Sequence, residues 1–311
     1  MTCHILFSAR PAQWAEYDAP LRAALDALGV AYVLGAELPE DRVEYIIYAP
    51  SSALQDFAGY PRLRAVLNLW AGVEGVVQNP TLTVPLTRMV DDAGLTQGMV
   101  EWVTGHVLRH HLGMDAHIVN PDRIWNDTSP RLSRDRRIGI LGMGALGTAC
   151  AGMLVQLGFD VAGWSQSAKD IPGVTSHQGT AGLHQMLAKT DILVLLLPLT
   201  DATKNILSHD KLARMPKGAV VLNPGRGGLI DDKALLASLD AGHIAHATLD
   251  TFRIEPLPGD HPYWSHPHVT ITPHIASTTR TVSAVRVIAE NIRRDVAGEG
   301  LLHLVDRTRG Y

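Results

Sequence analysis

Short apolar runs alternate with helix-like segments at the start of the chain. Apolar runs at residues 4–7, 45–49 and 65–69 predict short buried strands, and residues 20–29 show helical spacing that ends at a glycine. Strands and helices that alternate in this way are typical of a parallel sheet covered by helices. A continuous helical pattern over residues 97–119 then predicts a long helix that links two domains.

A second and more regular alternation begins at residue 138. The predicted strands are residues 138–141, 159–164, 191–197, 219–223, 245–250 and 269–272. Helices are predicted from the turn after the first of these strands to residue 157, near residues 181–188, after an Asp231 cap, and over residues 280–297. The series predicts a second doubly wound sheet, and the last helix is expected to return to the first domain.

Length and composition fit two globular domains. The chain has 311 residues, 46% of them hydrophobic and 19% charged, and is too long for one ordinary core. A net charge of −4 gives no electrostatic attraction to nucleic acid or to an anionic membrane. Two cysteines are too few for a disulfide framework, the first residues lack a basic leader, and the most apolar run, residues 192–199, is far shorter than the roughly 20 residues that span a bilayer. We therefore expect a cytoplasmic protein without a nucleic-acid or membrane partner.

A glycine-rich turn joins the strand at residues 138–141 to the helix that follows it. Its six residues have the G-x-G-x-x-G spacing: Gly142, Met143, Gly144, Ala145, Leu146 and Gly147. In such a turn the first glycine permits a tight bend, the second lets the backbone approach a pyrophosphate, and the third lets helix and strand pack closely. Exposed N–H groups and the helix dipole then hold the phosphates. In this strand–turn–helix context the motif predicts a dinucleotide-binding site rather than a simple connection.

The turn after the next predicted strand indicates which dinucleotide is bound. An acid about 20 residues after the glycine motif would bind the ribose 2′-hydroxyl and favour NAD. Here no acid occurs before Asp170, so nothing in the turn repels a 2′-phosphate. Four polar residues of the turn can supply hydrogen bonds or a charge to that phosphate: Ser165, Gln166, Ser167 and Lys169. The sequence favours NADP(H) as the cofactor and leaves NAD(H) as the alternative.

Three side chains with catalytic chemistry follow successive strands of the second sheet. Arg226 lies in NPGRGG, Glu255 in TFRIEP and His274 in PHIAS. The carboxyl ends of parallel strands meet at one edge, where α/β enzymes place their sites. An arginine can bind a carboxylate or a ketone oxygen, and a histidine can transfer a proton near pH 7. A carboxylate beside the histidine stabilises the imidazolium and fixes its orientation. The three residues are therefore predicted to form a catalytic set.

Each of these residues also has an ordinary structural explanation. Taken singly, they would be a surface arginine, a solvated loop acid and a polar residue at a strand end. Their joint occurrence after consecutive strands, beside a dinucleotide motif, favours the catalytic interpretation. The other histidines of residues 252–277 are predicted to be bystanders in loops or turns: His261, His266 and His268. A helix surface or subunit contact is favoured over a metal site for three more histidines, which lack an H-E-x-x-H pattern: His106, His110 and His117.

Five segments of the chain match, in order, the motifs of a known enzyme family. They are GILGMGALG, LLLPLTDATKNIL, LNPGRGGLID, LDTFRIEPLP and HPHVTITPHIAS. On these segments the chain resembles the D-isomer-specific 2-hydroxyacid dehydrogenases and, within that family, the glyoxylate/hydroxypyruvate reductase A type. The resemblance extends from the WAGVEG loop nearly to the C-terminus and is most specific over residues 138–277.

The resemblance implies a role for each residue of the catalytic set and adds others. Arg226 would bind the substrate's carboxylate and carbonyl, Glu255 would pair with His274, and His274 would be the acid–base. Backbone amides of the loop formed by Ala71, Gly72 and Val73 would hold the substrate carboxylate, Gly72 in particular, and Trp70 would shape the pocket. Three residues would line the nicotinamide and its ribose: Leu197, Pro198 and Asp250. The resemblance also implies the sequence Trp-Ser-Arg at the end of this strand, whereas this chain has Gln166 in place of the arginine. The loss of that arginine weakens the case for NADP.

Together these observations predict an α/β protein with two doubly wound domains. A Rossmann NAD(P)-binding domain, residues 97–277, is inserted in a flavodoxin-like substrate domain of residues 1–96 and 278–311. The predicted function is NAD(P)H-dependent reduction of a small 2-oxo acid such as glyoxylate or hydroxypyruvate. Three alternatives stay open. They are a substrate of lactate or phosphoglycerate type, an NAD-dependent enzyme of the same family that acts on a different oxidisable substrate, and a non-enzymatic dinucleotide sensor resembling the family's corepressors. The family also implies a homodimer formed through the 97–119 helix.

Overall fold

The computed structural model describes residues 2–310, which divide into two compact units. One unit contains the chain up to Leu95 together with the segment from Thr278 onward, and the other contains Thr96–Ser277. Each unit is built around one sheet whose paired strands run parallel. The predicted α/β class with two doubly wound sheets is confirmed.

The secondary structure of residues 2–310 is as follows. The strands are β1 (Cys3–Ser8), β2 (Tyr32–Gly35), β3 (Tyr45–Tyr48), β4 (Ala65–Asn68), β5 (Leu86–Thr87), β6 (Arg137–Leu141), β7 (Asp160–Ser165), β8 (Val174–Gln178), β9 (Ile192–Leu195), β10 (Ala219–Asn223), β11 (Ile244–Leu249) and β12 (Val269–Ile271). The α-helices are α1 (Pro11–Ala27), α2 (Gln97–Leu112), α3 (Asp115–Ile118), α4 (Ala145–Gln156), α5 (Gly179–Leu187), α6 (His209–Leu212), α7 (Asp232–Asp240) and α8 (Thr281–Val296). None of these helices combines the length and the hydropathy that crossing a lipid bilayer requires.

The first sheet has the strand order β2-β1-β3-β4-β5. This 2-1-3-4-5 order is that of flavodoxin-like folds. The three apolar runs predicted as strands correspond to β1, β3 and β4, which form the interior of the sheet. β2 and β5 were not predicted, because a strand of four or two residues at a sheet edge carries too little periodicity to be recognised. Helices α1 and α8 pack against each other beside this sheet.

Helix α1 begins earlier than the sequence pattern predicted. The prediction started at Pro20, whereas the helix starts at Pro11. A proline suits the first helical position, because its φ is already helical and its missing N–H would have no partner there. The side chain of Gln13 also accepts a hydrogen bond from the backbone N–H of Arg10 (3.3 Å). Pro20 therefore lies inside the helix, whose buried face consists of Tyr17, Leu21 and Leu25.

The second sheet has the order β12-β11-β10-β9-β6-β7-β8. Counted within this unit, the order is 3-2-1-4-5-6, the Rossmann arrangement, with one further strand beyond the sixth. The central strands β9 and β10 are buried along their whole length. At one edge β8 was not predicted, because its sequence VTSHQ is mostly polar and exposed. At the other edge all three residues of β12 are partly exposed, because this strand has a neighbour on one side only.

The predicted linking helix is two helices, and the predicted cap of α7 is present. Helix α2 ends at Leu112 because Gly113 adopts the left-handed conformation (φ 64°), which terminates many helices, and α3 follows separately. The side chain of Asp231 accepts hydrogen bonds from the N–H groups of Lys233 (3.1 Å) and Ala234 (3.2 Å) and so caps α7.

Candidate active site

The glycine turn between β6 and α4 combines close packing with open space. Gly142 has φ 107°, and a Cβ there would lie 2.6 Å from the Leu196 carbonyl, so only glycine fits. A Cβ on Gly147 would lie 1.8 Å from the Gly142 carbonyl oxygen, which shows how tightly α4 packs on the turn. Gly144 is exposed, and a Cβ there would meet no atom within 4 Å. The residues present therefore fit a pyrophosphate approaching the N-terminus of α4.

The residues between these glycines offer main-chain groups rather than side chains. Met143 is buried, and its sulfur would lie 2.5 Å from a Cβ on Gly163, so the thioether fills the core beside β7. Leu146 packs against the same core, and Ala145 is exposed at the first position of α4. The side chains of Met143 and Leu146 are therefore used in core packing, and only main-chain groups of this stretch are available to a phosphate.

The polar turn after β7 contains the residues predicted to select the cofactor. The hydroxyl of Ser165 donates to the Ser167 carbonyl (2.6 Å) and closes the turn. The backbone N–H of Lys169 donates to the Ser176 hydroxyl (3.2 Å). The residues Gln166, Ser167 and Lys169 are exposed. The end of β7 thus presents hydroxyl, amide and ammonium groups, and the turn itself contains no carboxylate.

The loop after β9 lies beside the glycine turn. Leu196 is the residue whose carbonyl a side chain on Gly142 would strike, and Leu197 and Pro198 follow it directly. Leu197 is buried in the core, whereas Pro198 is half-buried. The carbonyl of Pro198 accepts a hydrogen bond from the Thr203 hydroxyl (2.6 Å), which holds the loop in place. The structure therefore brings the predicted nicotinamide residues to the same edge of the sheet as the predicted phosphate site.

Arg226 lies on a turn that its neighbours hold rigidly. Asn223, the last residue of β10, is buried; its Nδ2 donates to the Arg226 carbonyl (2.9 Å), and its Oδ1 accepts from the Gly225 N–H (3.2 Å). A Cβ on Gly227 would lie 2.1 Å from the backbone of Phe252, so the chain after β11 passes directly over the turn. The guanidinium Nη1 donates to the Gly225 carbonyl (2.7 Å). Asn223 was not among the residues predicted from the sequence, although an amide that ends a buried strand was a visible signal.

His274 and Glu255 are in direct contact. The Nδ1 atom of His274 lies 2.7 Å from Oε2 of Glu255, and Oε1 accepts from the backbone N–H of Phe252 (2.8 Å). Burial raises the pKa of Glu255, but the hydrogen bonds from His274 and Phe252, together with the charges of His274 and Arg226, hold that pKa below its usual value. An ionised carboxylate only accepts hydrogen bonds, so Nδ1 carries the hydrogen. The Nε2 atom is then the nitrogen that can exchange a proton with a substrate.

A buried carboxylate holds the loop that carries His274. Asp250 is 0% exposed, and its two oxygens accept from the Thr272 hydroxyl (2.5 Å) and from the N–H groups of Ile275 (2.9 Å) and Ala276 (3.0 Å). The N–H of His274 donates to the Asp250 carbonyl (2.8 Å). His274 itself has φ 54°, a left-handed conformation that is uncommon for residues other than glycine. The resemblance also implies a place for Asp250 beside the nicotinamide ribose, and in the structure both of its carboxylate oxygens accept hydrogen bonds from this loop.

In the other unit, the four residues predicted to bind the substrate form one continuous turn after β4. Trp70 is 40% exposed, Ala71 and Gly72 are half-buried, and Val73 is buried. The carbonyl of Trp70 accepts a hydrogen bond from the N–H of Met89 (3.0 Å), which ties the turn to the segment after β5. A turn with its backbone held in this way can present N–H groups in a fixed direction.

The other histidines near the end of the second unit have partners of their own. The Nε2 atom of His266 lies 3.3 Å from an Asp240 carboxylate oxygen, and its Nδ1 accepts from the N–H of His268 (3.1 Å). The Nδ1 of His261 accepts from the N–H of Tyr263 (3.3 Å) and caps a short helical turn. These contacts are typical of loop structure.

The histidines of the predicted linking helix are likewise engaged in packing. His106 stacks on Trp102 with 4.3 Å between ring centroids, and His110 shares a hydrogen bond of 2.9 Å with the Thr248 hydroxyl. Burial lowers the pKa of His110 to about 3, so this ring is neutral. His117 lies apart from them on α3. Among residues 2–310 no group of three or more His, Cys, Asp or Glu side chains is placed to hold a metal ion.

Known proteins are similar to this chain in sequence and in fold. The family model described as D-isomer specific 2-hydroxyacid dehydrogenase, NAD binding domain, matches residues 105–276. The glyoxylate/hydroxypyruvate reductase A of Yersinia enterocolitica is 39% identical over 257 residues, which cover 80% of this chain and 82% of that protein. The protein of the same name from Serratia proteamaculans is 37% identical over 289 residues, or 90% of this chain and 91% of that one.

Two solved structures match over the whole chain. The D-isomer specific 2-hydroxyacid dehydrogenase of Xanthobacter autotrophicus Py2, in complex with NADPH and MES, is 36% identical, with a TM-score of 0.93 and 100% of both chains covered. The NADPH-dependent glyoxylate/hydroxypyruvate reductase of Sinorhizobium meliloti, in complex with NADP and sulfate, is 33% identical, with a TM-score of 0.87 and coverage of 100% of this chain and 99% of that one. With the family model matching more than half of its length, this chain belongs to the D-isomer specific 2-hydroxyacid dehydrogenase family of NAD(P)-dependent oxidoreductases.

Proposed function

We propose that the protein reduces small 2-oxo acids with NADPH, converting glyoxylate to glycolate and hydroxypyruvate to D-glycerate. The observation that carries this proposal is the His274–Glu255 contact of 2.7 Å, which leaves Nε2 of the histidine for proton transfer at the carboxyl edge of a Rossmann sheet. The relatives named glyoxylate/hydroxypyruvate reductase A support the choice of substrate.

The proposal of NADP(H) rests on the glycine turn and on the polar turn after β7. Backbone N–H groups of residues 142–147 would hold the pyrophosphate at the start of α4. Four side chains would receive the 2′-phosphate: Ser165, Gln166, Ser167 and Lys169. Two similar structures are complexes with NADPH and with NADP, which supports this cofactor, and NADH is the weaker alternative. When bound, the reduced nicotinamide supplies a hydride to the α-carbon of the substrate.

The chain's own residues manage the charge and the proton of the reaction. Arg226 binds the carboxylate and ketone oxygens of the substrate with its planar fork and polarises the C=O bond. Protonated His274 delivers a proton from Nε2 to the ketone oxygen as alkoxide charge develops there. Glu255 stabilises the imidazolium and keeps the ring oriented. In the reverse direction neutral His274 accepts the hydroxyl proton of a D-2-hydroxy acid.

Other residues position the reactants. We assign the unit that contains Thr96–Ser277 to the cofactor and the other unit to the substrate. Backbone amides of the turn formed by Ala71, Gly72 and Val73 bind the substrate carboxylate, and Trp70 shapes the surrounding pocket. Leu197 and Pro198 line the nicotinamide. Asp250 would line the nicotinamide ribose, and its carboxylate also accepts three hydrogen bonds from the loop that carries His274.

Initial-rate kinetics test this function directly. With NADPH, glyoxylate and hydroxypyruvate should be reduced with higher kcat/KM than pyruvate. We expect NADPH to be preferred over NADH by roughly tenfold or more, which is the effect of one charge-assisted hydrogen bond to the 2′-phosphate. The measurement is the decrease in nicotinamide absorbance at saturating cofactor.

A single variant separates the two cofactors. Lys169→Met should raise the KM for NADPH and leave the KM for NADH unchanged, because only the former carries the 2′-phosphate that the ammonium group attracts. A strong preference of the wild type for NADH would refute the cofactor assignment. If none of these 2-oxo acids supports NADPH oxidation, the alternative of a non-enzymatic dinucleotide sensor is favoured instead.

We also propose that the partner of this chain is a second copy of itself. The segment after α2 exposes several large apolar side chains: Ile118, Val119, Ile124, Trp125 and Leu132. Trp125 is 93% exposed, and large apolar side chains exposed along one segment are typical of protein interfaces. The resemblance implies a dimer through the 97–119 helix, and these exposed side chains begin within that stretch and continue beyond it.

Light scattering of the purified protein should give twice the mass of one chain. Trp125→Asp should shift the protein toward the monomer, because it places a charge at the centre of the apolar segment. A wild type that stays monomeric at micromolar concentration would contradict the proposed dimer.

We propose the cytoplasm as the compartment of this protein. Cys3 and Cys150 are both free and buried. Burial raises the pKa of the Cys150 thiol to about 12, so this thiol is unreactive at neutral pH. Free thiols in the core are consistent with a reducing compartment.

A further inference from the structure

Asn68 is a buried polar residue at the end of an apolar strand. It closes β4, whose other residues are alanine, valine and leucine, and it is 1% exposed. A polar group in such a place costs free energy unless hydrogen bonds replace those it made with water. The contacts of its amide therefore indicate why it is there.

Both hydrogens of the Asn68 amide are used to hold the turn that follows β4. Nδ2 donates to the carbonyl of Trp70 (2.8 Å) and to the carbonyl of Gly72 (2.9 Å). Because carbonyl oxygens only accept, these two contacts fix which end of the amide faces the turn. The Oδ1 atom is buried and has no hydrogen-bond partner within residues 2–310. An orphaned acceptor destabilises the fold, so a role in stability alone does not explain the residue.

The geometry of the peptide bond converts these two contacts into a direction for backbone N–H groups. In a trans peptide the C=O of one residue and the N–H of the next are coplanar and point in opposite directions. Among residues 2–310 the recorded cis bond is Glu255–Pro256, so the bonds after Trp70 and Gly72 are trans. With both carbonyls drawn toward Asn68, the N–H groups of Ala71 and Val73 point away from it.

These two N–H groups have no acceptor within the described part of the chain. The hydrogen bonds of residues 2–310 include none donated by the backbone of Ala71 or Val73. A backbone N–H without a protein partner is satisfied by water or by a ligand. Two such donors on the same side of one turn suit the two oxygens of a carboxylate.

We propose that Asn68 is a positioning residue that aims the N–H groups of Ala71 and Val73 at the substrate carboxylate. The inference rests on the proposed function, in which this turn binds that carboxylate, and deepens it by naming the side chain that orients the donors. Asparagine suits the task because it donates twice. An aspartate of the same shape donates nothing when ionised and repels both carbonyl oxygens.

The experiment is steady-state kinetics of Asn68→Asp with glyoxylate and NADPH. We expect the KM for glyoxylate to rise by roughly tenfold or more, the effect of losing one well-oriented charge-assisted hydrogen bond. The kcat should change by less than the KM, because the turn binds a group that does not react. The dissociation constant of NADPH, measured by fluorescence titration, should be unchanged. A general loss of structure would alter NADPH binding as well.

Asn79→Asp is the matched control. Asn79 lies in the same unit and its Nδ2 also donates to a backbone carbonyl, that of Gln55 (2.7 Å), but it does not hold the Trp70–Gly72 turn. Its KM for glyoxylate should equal that of the wild type. If Asn68→Asp does not fold, Asn68→Ser, which retains one donor and no charge, should show the same selective rise in KM.

The outcomes separate this inference from the function on which it rests. Absence of turnover in the wild type overturns both. The role of Asn68 alone is overturned if the wild type turns over normally and the folded Asn68 variant has a KM for glyoxylate within twofold of the wild-type KM. An equal rise in KM for Asn79→Asp would likewise show that the effect is not specific to this turn.

Discussion

Replacing His274 with alanine should lower kcat for glyoxylate reduction by about 10²–10⁴-fold, the usual contribution of a general acid. The reason is that Nδ1 is committed to Glu255, so Nε2 is the only nitrogen of this ring that can protonate the ketone oxygen. The KM for glyoxylate should change little, because in this mechanism the substrate is held by Arg226 and by the 70–73 turn. The measurement is kcat with saturating NADPH at pH 7.

At pH 7 the supporting carboxylate is fully ionised. The pKa of Glu255 is held below the value of an ordinary glutamate. Its carboxylate is therefore ionised, and stabilises His274, at every pH above the ordinary glutamate pKa. This interaction is lost only as the pH falls through that lowered pKa. The effect of the His274 substitution is therefore not confused with titration of its partner.

Two neighbouring histidines are the controls for this prediction. His266→Ala and His268→Ala should retain wild-type kcat if the proteins fold, because His266 contacts Asp240 and His268 contacts His266, not Glu255. If His274→Ala kept kcat within about threefold of wild type, or if His268→Ala fell as far, the proton transfer would have to be assigned to another group.

Replacing Arg226 with methionine should lower kcat by about 10²–10³-fold, the effect of removing one preorganised donor to a developing oxyanion. The KM for the 2-oxo acid should rise as well, because the same guanidinium is proposed to bind the substrate carboxylate. Methionine preserves the length of the side chain and leaves the Asn223 contacts to the turn in place, since those contacts involve backbone atoms. Steady-state kinetics with glyoxylate and NADPH measure both constants.

Two further variants are compared with Arg226→Met: Arg226→Lys and Arg214→Met. Arg226→Lys should recover part of the lost kcat, because it restores the charge without the planar fork. Arg214→Met, which changes an exposed arginine of the same unit, should leave both constants unchanged. A variant Arg226→Met with wild-type kcat and KM would exclude Arg226 from the site.

Much of the second unit could be predicted because its signals are local. Strand β6, the three glycines and the start of α4 are adjacent in sequence. The tight turn and the close packing of the helix require glycines at those spacings. The same holds for Asp231, whose cap involves only the next few residues. Arg226, Glu255 and His274 could be singled out because each follows a recognisable strand, and parallel strands end at a common edge.

Features that depend on contacts between distant segments could not be predicted. Nothing in the local pattern showed that Asp250 would be buried and hydrogen-bonded by a loop more than twenty residues further along the chain. The break in the linking helix depended on the left-handed conformation of Gly113, which a glycine can adopt but need not. The edge positions of β8 and β12 and the order of the strands within each sheet are likewise properties of the assembled sheet.

By itself, the sequence determined the α/β class, the dinucleotide turn and the residue types available for proton transfer and anion binding. These follow from hydrophobic periodicity and from short-range steric and hydrogen-bonding requirements. Only the tertiary structure decided that Nδ1 of His274 meets Glu255, that Asn223 and Asp250 hold the turns of Arg226 and His274, and that Asn68 hydrogen-bonds the 70–73 turn. Such roles depend on where buried side chains find their hydrogen-bond partners, and those partners are fixed by packing between segments that the sequence keeps apart.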